Sequence, residues 1–128
     1  GADDVSPDGK NEVEMQNLGA TNTIAYTITW GIFSGPPSQR ELVEWDMVFD
    51  DVDFDWSTDG SAGTMDFLNI ATHEIGHAAG MGHPASECTE ETMYAYAGLG
   101  EIIKRDLKTA SCFTSASWRR ATAEYVAL

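Results

Sequence analysis

The chain has 128 residues, 42% of them hydrophobic, and its 7 basic and 21 acidic side chains give a formal net charge of −14. This length and apolar content predict one globular domain with a single core, and the negative charge argues against nucleic acid or anionic membranes as partners. No stretch approaches the roughly 18 apolar residues of a membrane span. We expect a monomer. The first residues, Gly1-Ala2-Asp3-Asp4, are expected to be a processed or engineered start.

The first part of the chain predicts a small sheet. Asn11–Leu18 alternates apolar with acidic or polar residues, which is typical of a short strand. Thr23–Phe33 is rich in β-branched and aromatic residues, and Glu41–Phe49 follows after the breaker Gly35-Pro36-Pro37-Ser38. We expect these last two strands to form a hairpin with an irregular loop.

The segment Asp50–Trp56 is strongly acidic. Its alternation of apolar residues slips by one position at Asp50-Asp51, which predicts a bulge or the end of the strand. Neighbouring carboxylates repel one another unless a cation lies among them, so a Ca²⁺ site is one interpretation. A solvated acidic turn is the other, and the EF-hand pattern fails because Trp56 stands where that loop needs Gly.

A helix is predicted to begin near Thr64 or Asp66, since either residue can cap it. Apolar residues recur along it with helical spacing and are expected to form its contact surface: Phe67, Ile70, Ala71, Ile75 and Ala78.

The pattern HExxHxxGxxH begins at His73 and contains all three histidines of the chain. His73 and His77 lie one helical turn apart, so both rings can reach one ion. Gly80 can adopt a left-handed conformation and end the helix, after which the chain can return His83 as a third ligand. Three imidazoles leave one tetrahedral position for water, as in a catalytic zinc site, with Glu74 beside it as general base. The alternative is a helix with solvated or core histidines.

The C-terminal part predicts loops and two helices. Pro84–Glu91 is expected to be a loop, and Thr92–Tyr96 a compact apolar turn. Glu101–Lys108 and Trp118–Val126 are predicted to be helical, the second capped by Ser115 or Ser117.

These motifs resemble the metzincin clan of zinc endopeptidases and, within it, the matrixins, the matrix metalloproteinase family. Met93-Tyr94 resembles the clan's Met-turn, which lies beneath the metal, although Thr92 and Ala95 replace the Leu and Pro of matrixins. Ala95 also stands where astacins and serralysins carry a metal-touching Tyr. The resemblance runs from about residue 11 to residue 105.

Further residues take their expected roles from this resemblance. Phe49-Asp50-Asp51-Val52-Asp53 is similar to the matrixin run Phe-Asp-Asp-Asp-Glu, which implies Asp50 and Asp53 as calcium ligands. Val48 replaces a histidine that binds a structural zinc in matrixins, so we expect a single, catalytic Zn²⁺.

The resemblance also implies how a protein or peptide substrate binds. It places Thr23–Thr29 at the edge of the sheet, where an extended substrate pairs with it in antiparallel fashion; an internal strand is the alternative. The implied substrate-binding residues are Ile24, Ala25 and Tyr26, with Tyr94 and Tyr96 as a wall of the primed-side pocket.

We therefore predict an α+β fold: a small twisted, mostly antiparallel sheet packed on the active-site helix, with a mainly irregular or helical C-terminal subdomain. Residues 1–128 form one catalytic domain, with the sheet and helix in 1–80 and the C-terminal subdomain with the Met-turn in 81–128. Matrixins carry strands and a long helix ahead of the first strand predicted here. We expect either a minimal member of the family or a form shortened at its N-terminus.

The function that the resemblance implies is that of a secreted, zinc-dependent endopeptidase with Glu74 as general base. Two alternatives stay open: a non-catalytic zinc-stabilised binding module or inactive truncated metzincin, and a zinc hydrolase acting on something other than peptides. Secretion favours a disulfide between Cys88 and Cys112 over two unpaired thiols. It would close a loop of roughly 25 residues and contribute about 3.5 kcal/mol.

Overall fold

A computed structural model of the protein describes residues 5–107 and 124–127. In these ranges the chain forms the strands β1 (Glu12–Gln16), β2 (Thr23–Ile32), β3 (Glu41–Asp50), β4 (Trp56–Ser57), β5 (Met65–Asp66) and β6 (Glu124–Ala127), the helix α1 (Phe67–Ala78), and 3-10 turns at Pro37–Gln39 and Ile103–Arg105.

Four of the strands form one mixed sheet in the order β1-β3-β2-β6. The predicted hairpin is confirmed, because β2 pairs antiparallel with β3 from Ala25↔Phe49 to Ile32↔Glu41, with a register shift after Trp30. β1 adds to the other side of β3 in parallel, and β6 pairs antiparallel with β2. The structure is therefore a small α+β fold with a mixed sheet and one helix, as predicted at that level.

The core lies between α1 and one face of the sheet. Met47 and Phe49 on β3 are buried together with Ile70 of α1. The Phe49 ring lies 5.0 Å from the Phe67 ring and 5.6 Å from the Trp56 ring, measured between centroids. This aromatic cluster holds the first turn of α1 against the centre of the sheet, which positions the remainder of the helix over β2.

Helix α1 begins in the predicted region, and of the two proposed caps, Thr64 and Asp66, it is Asp66 that caps it. The Asp66 carboxylate accepts a hydrogen bond from the backbone N–H of Asn69, which satisfies a donor that the first helical turn leaves free. In the described part of the chain, no helix is both long and apolar enough to cross a membrane.

The predicted contact face of α1 is wrong at Ile75, whose side chain is 58% exposed. The helix is rotated so that polar residues face inward, among them His73, Glu74 and His77. The apolar Ile75 is thus exposed while a cluster of polar side chains is buried, which indicates that these polar side chains have a role inside the protein.

β2 is not an edge strand, so the expectation for Thr23–Thr29 is wrong in this structure. β6 pairs with its outer side from Thr23↔Ala127 to Thr27↔Glu124. An uncovered edge would leave a row of backbone N–H and C=O groups without partners, and β6 satisfies them. The pairing joins segments from opposite ends of the chain, which local sequence patterns do not reveal.

The same pairing corrects the helix predicted for Trp118–Val126. Residues 124–126 belong to β6, because β2 offers them a partner strand. Residues 118–123 and the proposed caps Ser115 and Ser117 lie outside the described residues.

The helix predicted for Glu101–Lys108 is also wrong, because residues 101–107 contain only the 3-10 turn Ile103–Arg105. The backbone N–H of Lys104 donates to the side-chain Oδ1 of Asn69, 2.7 Å away, instead of to a carbonyl of its own segment. Tertiary contact with α1 therefore overrides the local helical tendency.

Candidate metal centre

The three histidines converge at the C-terminal end of α1. The Nε2 atom of His73 lies 3.0 Å from that of His77 and 3.2 Å from that of His83, and the last two are 3.1 Å apart. Two nitrogens bound to one tetrahedral zinc at about 2.0–2.1 Å lie roughly 3.3 Å apart. Among the described residues, these three are the one group of His, Cys, Asp or Glu side chains that converges in this way. The donor set thus fits a zinc ion.

Hydrogen bonds determine which nitrogen of two rings carries the proton. The Nδ1 atoms of His73 and His77 each lie 2.8 Å from a backbone carbonyl oxygen, that of Thr92 and that of Met81 respectively. Because a carbonyl only accepts, each Nδ1 donates, and Nε2 of the neutral ring has only a lone pair to offer. Two such lone pairs 3.0 Å apart cannot bond to each other. A metal ion accepts both electron pairs and so would satisfy both nitrogens.

Burial keeps the rings neutral. It lowers the pKa of His77 to about 4 from an ordinary value of 6.5. It lowers the pKa of His73 well below that ordinary value, with the neighbouring His77 ring contributing, and it lowers the pKa of His83 as well. All three are therefore unprotonated at neutral pH, the form in which imidazole binds a metal.

The end of α1 places His83 as the sequence predicts. Gly80 has φ +87°, in the left-handed region. The N–H of Gly80 donates to the His77 carbonyl and that of Met81 to the Gly76 carbonyl, which closes the last helical turn. The chain then reverses and brings His83 back to the two helical rings.

Glu74 lies inside, with its side chain fully buried. The hydroxyl of Thr27, on β2, donates to Glu74 Oε2 at a distance of 2.5 Å. Sequence analysis missed Thr27, because nothing in the pattern of its strand distinguishes it from neighbouring threonines. Only the packing of α1 on β2 reveals the contact.

The segment around Met93 contacts α1 and the ring of His73. Met93 is buried, and it lies so close to α1 that a Cβ atom built on Gly76 would be 2.1 Å from its Sδ. The preceding residue supplies the carbonyl that orients His73. The predicted turn thus contacts both the helix and a candidate metal ligand.

Tyr94 and Tyr96 lie together, with ring centroids 5.7 Å apart. Beneath them is a residue that sequence analysis did not identify, the fully buried Lys104. Its ammonium donates to the Tyr96 carbonyl and to Glu101 at 2.8 and 2.5 Å. It also lies 5.7 Å from the centre of the Tyr94 ring. The two tyrosines therefore rest on a buried cation whose charge is paired, a contact between residues that sequence spacing does not relate.

Hydrogen bonds and an ion pair attach residues 101–105 to the start of α1. Asn69 accepts from the backbone of Lys104 and donates to Glu101. Asp66, the helix cap, forms an ion pair with Arg105. The first half of α1 thus anchors the C-terminal segment, and the second half carries the histidines.

The two aspartates predicted to bind calcium have different environments. Asp50 is buried, and its carboxylate accepts hydrogen bonds from the backbone N–H groups of Leu18, Val52 and Asp53. Asp53 is exposed. In the described residues no third carboxylate converges with them, so the calcium hypothesis gains no support.

The predicted substrate strand is partly inaccessible. Ile24 and Ala25 are fully buried, and Tyr26 is half-buried. The outer backbone of this stretch is the part of β2 that pairs with β6. These residues therefore lie next to the helix that carries the histidines, but with another strand along their outer side.

Cys88 is buried and engaged in a disulfide bond. Its predicted partner, Cys112, lies outside the described residues.

Comparison with known proteins gives one family. The sequence model of the family described as Matrixin matches residues 32–109, which is more than half of the chain and includes the three histidines and Met93. No curated protein and no solved structure matches.

Proposed function

This chain belongs to the matrixin family, and from that we propose that it is a zinc-dependent endopeptidase. The observation that carries the proposal is the triangle of Nε2 atoms, 3.0–3.2 Å on a side, which is close to the spacing of nitrogens bound to one zinc ion. His73, His77 and His83 would hold the zinc. Three protein ligands leave a fourth position free for water or substrate, which is typical of catalytic zinc and not of structural zinc.

Glu74 is the general base of the proposed reaction. Zinc, when bound, lowers the pKa of a water toward about 7 and polarises the scissile carbonyl. The Glu74 carboxylate takes the proton of the attacking water and returns it to the leaving amine. A structural three-histidine site has no need of a buried carboxylate at this position, so Glu74 favours catalysis over a purely stabilising role.

Thr92 and Met93 are proposed to form the Met-turn of this site. Their contacts support that role: the Thr92 carbonyl orients the His73 ring, and Met93 packs against Gly76. Groups that contact metal ligands from behind keep those ligands in one orientation, so that the site is formed before the metal binds.

An extended peptide that pairs with β2 is the substrate-binding mode we propose, with Tyr94 and Tyr96 at the primed-side pocket. Backbone pairing accepts many sequences, which suits an endopeptidase. The antiparallel position beside Thr23–Thr27 is taken by β6 in the structure. A substrate strand and β6 therefore compete for one edge, and binding there requires β6 to leave.

Secretion and a single-chain state complete the proposal. The disulfide at Cys88 supports an oxidising compartment, where such bonds persist. The net charge of −14 is consistent with a soluble extracellular protein that remains a monomer.

Activity of the parent chain and of Glu74→Gln tests the proposal. Cleavage of an unfolded protein substrate should occur with zinc, stop on addition of a chelator and return when zinc is restored. Glu74→Gln should bind zinc as well as the parent and lose most turnover, because it keeps the shape of the side chain and removes the base.

The competing function is a zinc-stabilised binding module, and the pairing of β6 with β2 is the observation that favours it. It predicts bound zinc with no chelator-sensitive cleavage in either protein. Near-parental turnover by Glu74→Gln would instead show that another group is the base.

A further inference from the structure

Thr27 occupies an unusual place for a hydroxyl. It is only 1% exposed and lies on the face of β2 that packs on α1, with the apolar Ala25 on the same face and Met47 as its partner on β3. Burial of a hydroxyl is unfavourable unless it is hydrogen-bonded. A valine would fill the same volume without that requirement, so the hydroxyl itself calls for an explanation.

The hydroxyl has one proton and two oxygens of Glu74 within reach. It lies 2.5 Å from the carboxylate Oε2 and 3.3 Å from the backbone carbonyl. The distance to Oε2 lies within the range of O–H···O hydrogen bonds, whereas the distance to the carbonyl oxygen lies beyond it. The proton is therefore directed to the side chain, and Thr27 ties the carboxylate of the base to the sheet.

A glutamate has three rotatable side-chain bonds, and a general base works only when its oxygen is held toward the proton that it removes. From this contact we propose that Thr27 is a positioning residue for Glu74, which holds the carboxylate in its working orientation through the Oγ1–H···Oε2 hydrogen bond. The proposal rests on the proposed endopeptidase function and adds a second element to it, since the base comes from α1 and its support from β2.

The location of Thr27 links base and substrate. Thr27 is the last residue of β2 that pairs with β6, opposite Glu124. It therefore belongs both to the stretch on which an extended substrate is proposed to pair and, through its side chain, to the base. A strand docked on β2 presents its backbone next to the residue that orients the carboxylate.

The experiment compares kcat and KM of the parent, Thr27→Val and Thr27→Ser, all loaded with zinc. Thr27→Val keeps the volume and removes the donor, so kcat should fall about 10- to 100-fold while KM changes little, as when other hydrogen bonds that orient active-site groups are lost. Thr27→Ser restores the donor and should recover most of kcat. The control Thr72→Val removes a hydroxyl on α1 that donates to the Leu68 carbonyl, and it should leave kcat unchanged.

Two further measurements separate positioning from general stability. In a Glu74→Ala background, Thr27→Val should cause no additional loss of the residual rate, because its partner is gone. Zinc affinity of Thr27→Val should stay close to that of the parent, and the variant should remain fully folded under the assay conditions, although the lost buried hydrogen bond lowers its unfolding midpoint. A Thr27→Val enzyme with near-parental kcat, or a loss that adds fully to Glu74→Ala, would overturn the proposal while the endopeptidase function stands. A zinc-loaded parent that cleaves nothing would overturn both.

Discussion

Replacing Gly76 with alanine tests how closely α1 packs on the segment that carries Met93. An alanine Cβ would lie 2.1 Å from Met93 Sδ, 2.9 Å from its Cε and 3.1 Å from Met81 Cε. Non-bonded heavy atoms are at their optimum near 3.5–4.0 Å, so Met93 would have to move by about 1 Å or more. It is only 2% exposed, so any movement of its side chain takes place inside a packed core.

Two opposing terms set the size of the effect. Alanine in a helix interior is favoured over glycine by about 1 kcal/mol. Forcing extra volume into a packed core costs about 1–3 kcal/mol, and a contact as short as this one lies at the upper end. We expect a net loss of about 2 kcal/mol in the free energy of unfolding. Displacement of Met93 also shifts the Thr92 carbonyl that orients His73, so zinc affinity should fall about tenfold.

Urea unfolding of the zinc-loaded and metal-free proteins measures the first quantity, and competition with a chromogenic chelator measures the second. Gly98→Ala is the matched control, since nothing lies within 4 Å of a Cβ built there. It should change stability by no more than about 0.5 kcal/mol. If Gly76→Ala is as stable as the parent and binds zinc equally well, the close packing of Met93 on α1 is incorrect.

Three other predictions concern different parts of the molecule. Because burial lowers the pKa of His77 to about 4 against 6.5 when unfolded, this residue alone should make the metal-free protein lose about 3 kcal/mol of stability as the pH falls through that interval. His77→Gln should lack this component in urea titrations, and an identical pH dependence would contradict it. Asp66→Ala removes the helix cap and the partner of Arg105, and should cost about 2–3 kcal/mol in the free energy of unfolding; a loss below about 0.5 kcal/mol would show that neither contact matters. A chain that ends at residue 123 lacks β6 and should show a lower KM for peptide substrates, whereas an unchanged KM would mean that substrates do not use β2.

Residue types and their spacing in the sequence were sufficient to predict those features of the fold that depend on neighbouring residues. The spacing of His73, His77 and His83 predicted their convergence, because a helical turn and one left-handed glycine are enough to bring them together. Residue types also limited the helix cap to Thr64 or Asp66, and breakers predicted the pairing of β2 with β3.

Contacts between distant segments could not be predicted in this way. The pairing of β6 with β2 joins the first and last parts of the chain. The sequence that includes β6 predicted a helix, and it is the pairing with β2 that makes residues 124–127 a strand. Thr27 is one of several threonines in its strand and is distinguished only by the helix that packs above it. Lys104 left its predicted helix because the side chain of Asn69 accepts its N–H.

X-ray absorption at the zinc edge of the purified protein tests whether the three histidines hold a catalytic zinc. An open site held by His73, His77 and His83 predicts one zinc per chain, three imidazole nitrogens at about 2.0–2.1 Å and one further light ligand. A Glu74→Ala sample should give the same spectrum, since Glu74 is not a ligand in this account. A site closed by a fourth protein ligand, or a chain that retains no stoichiometric zinc, would contradict the assignment of a catalytic metal centre.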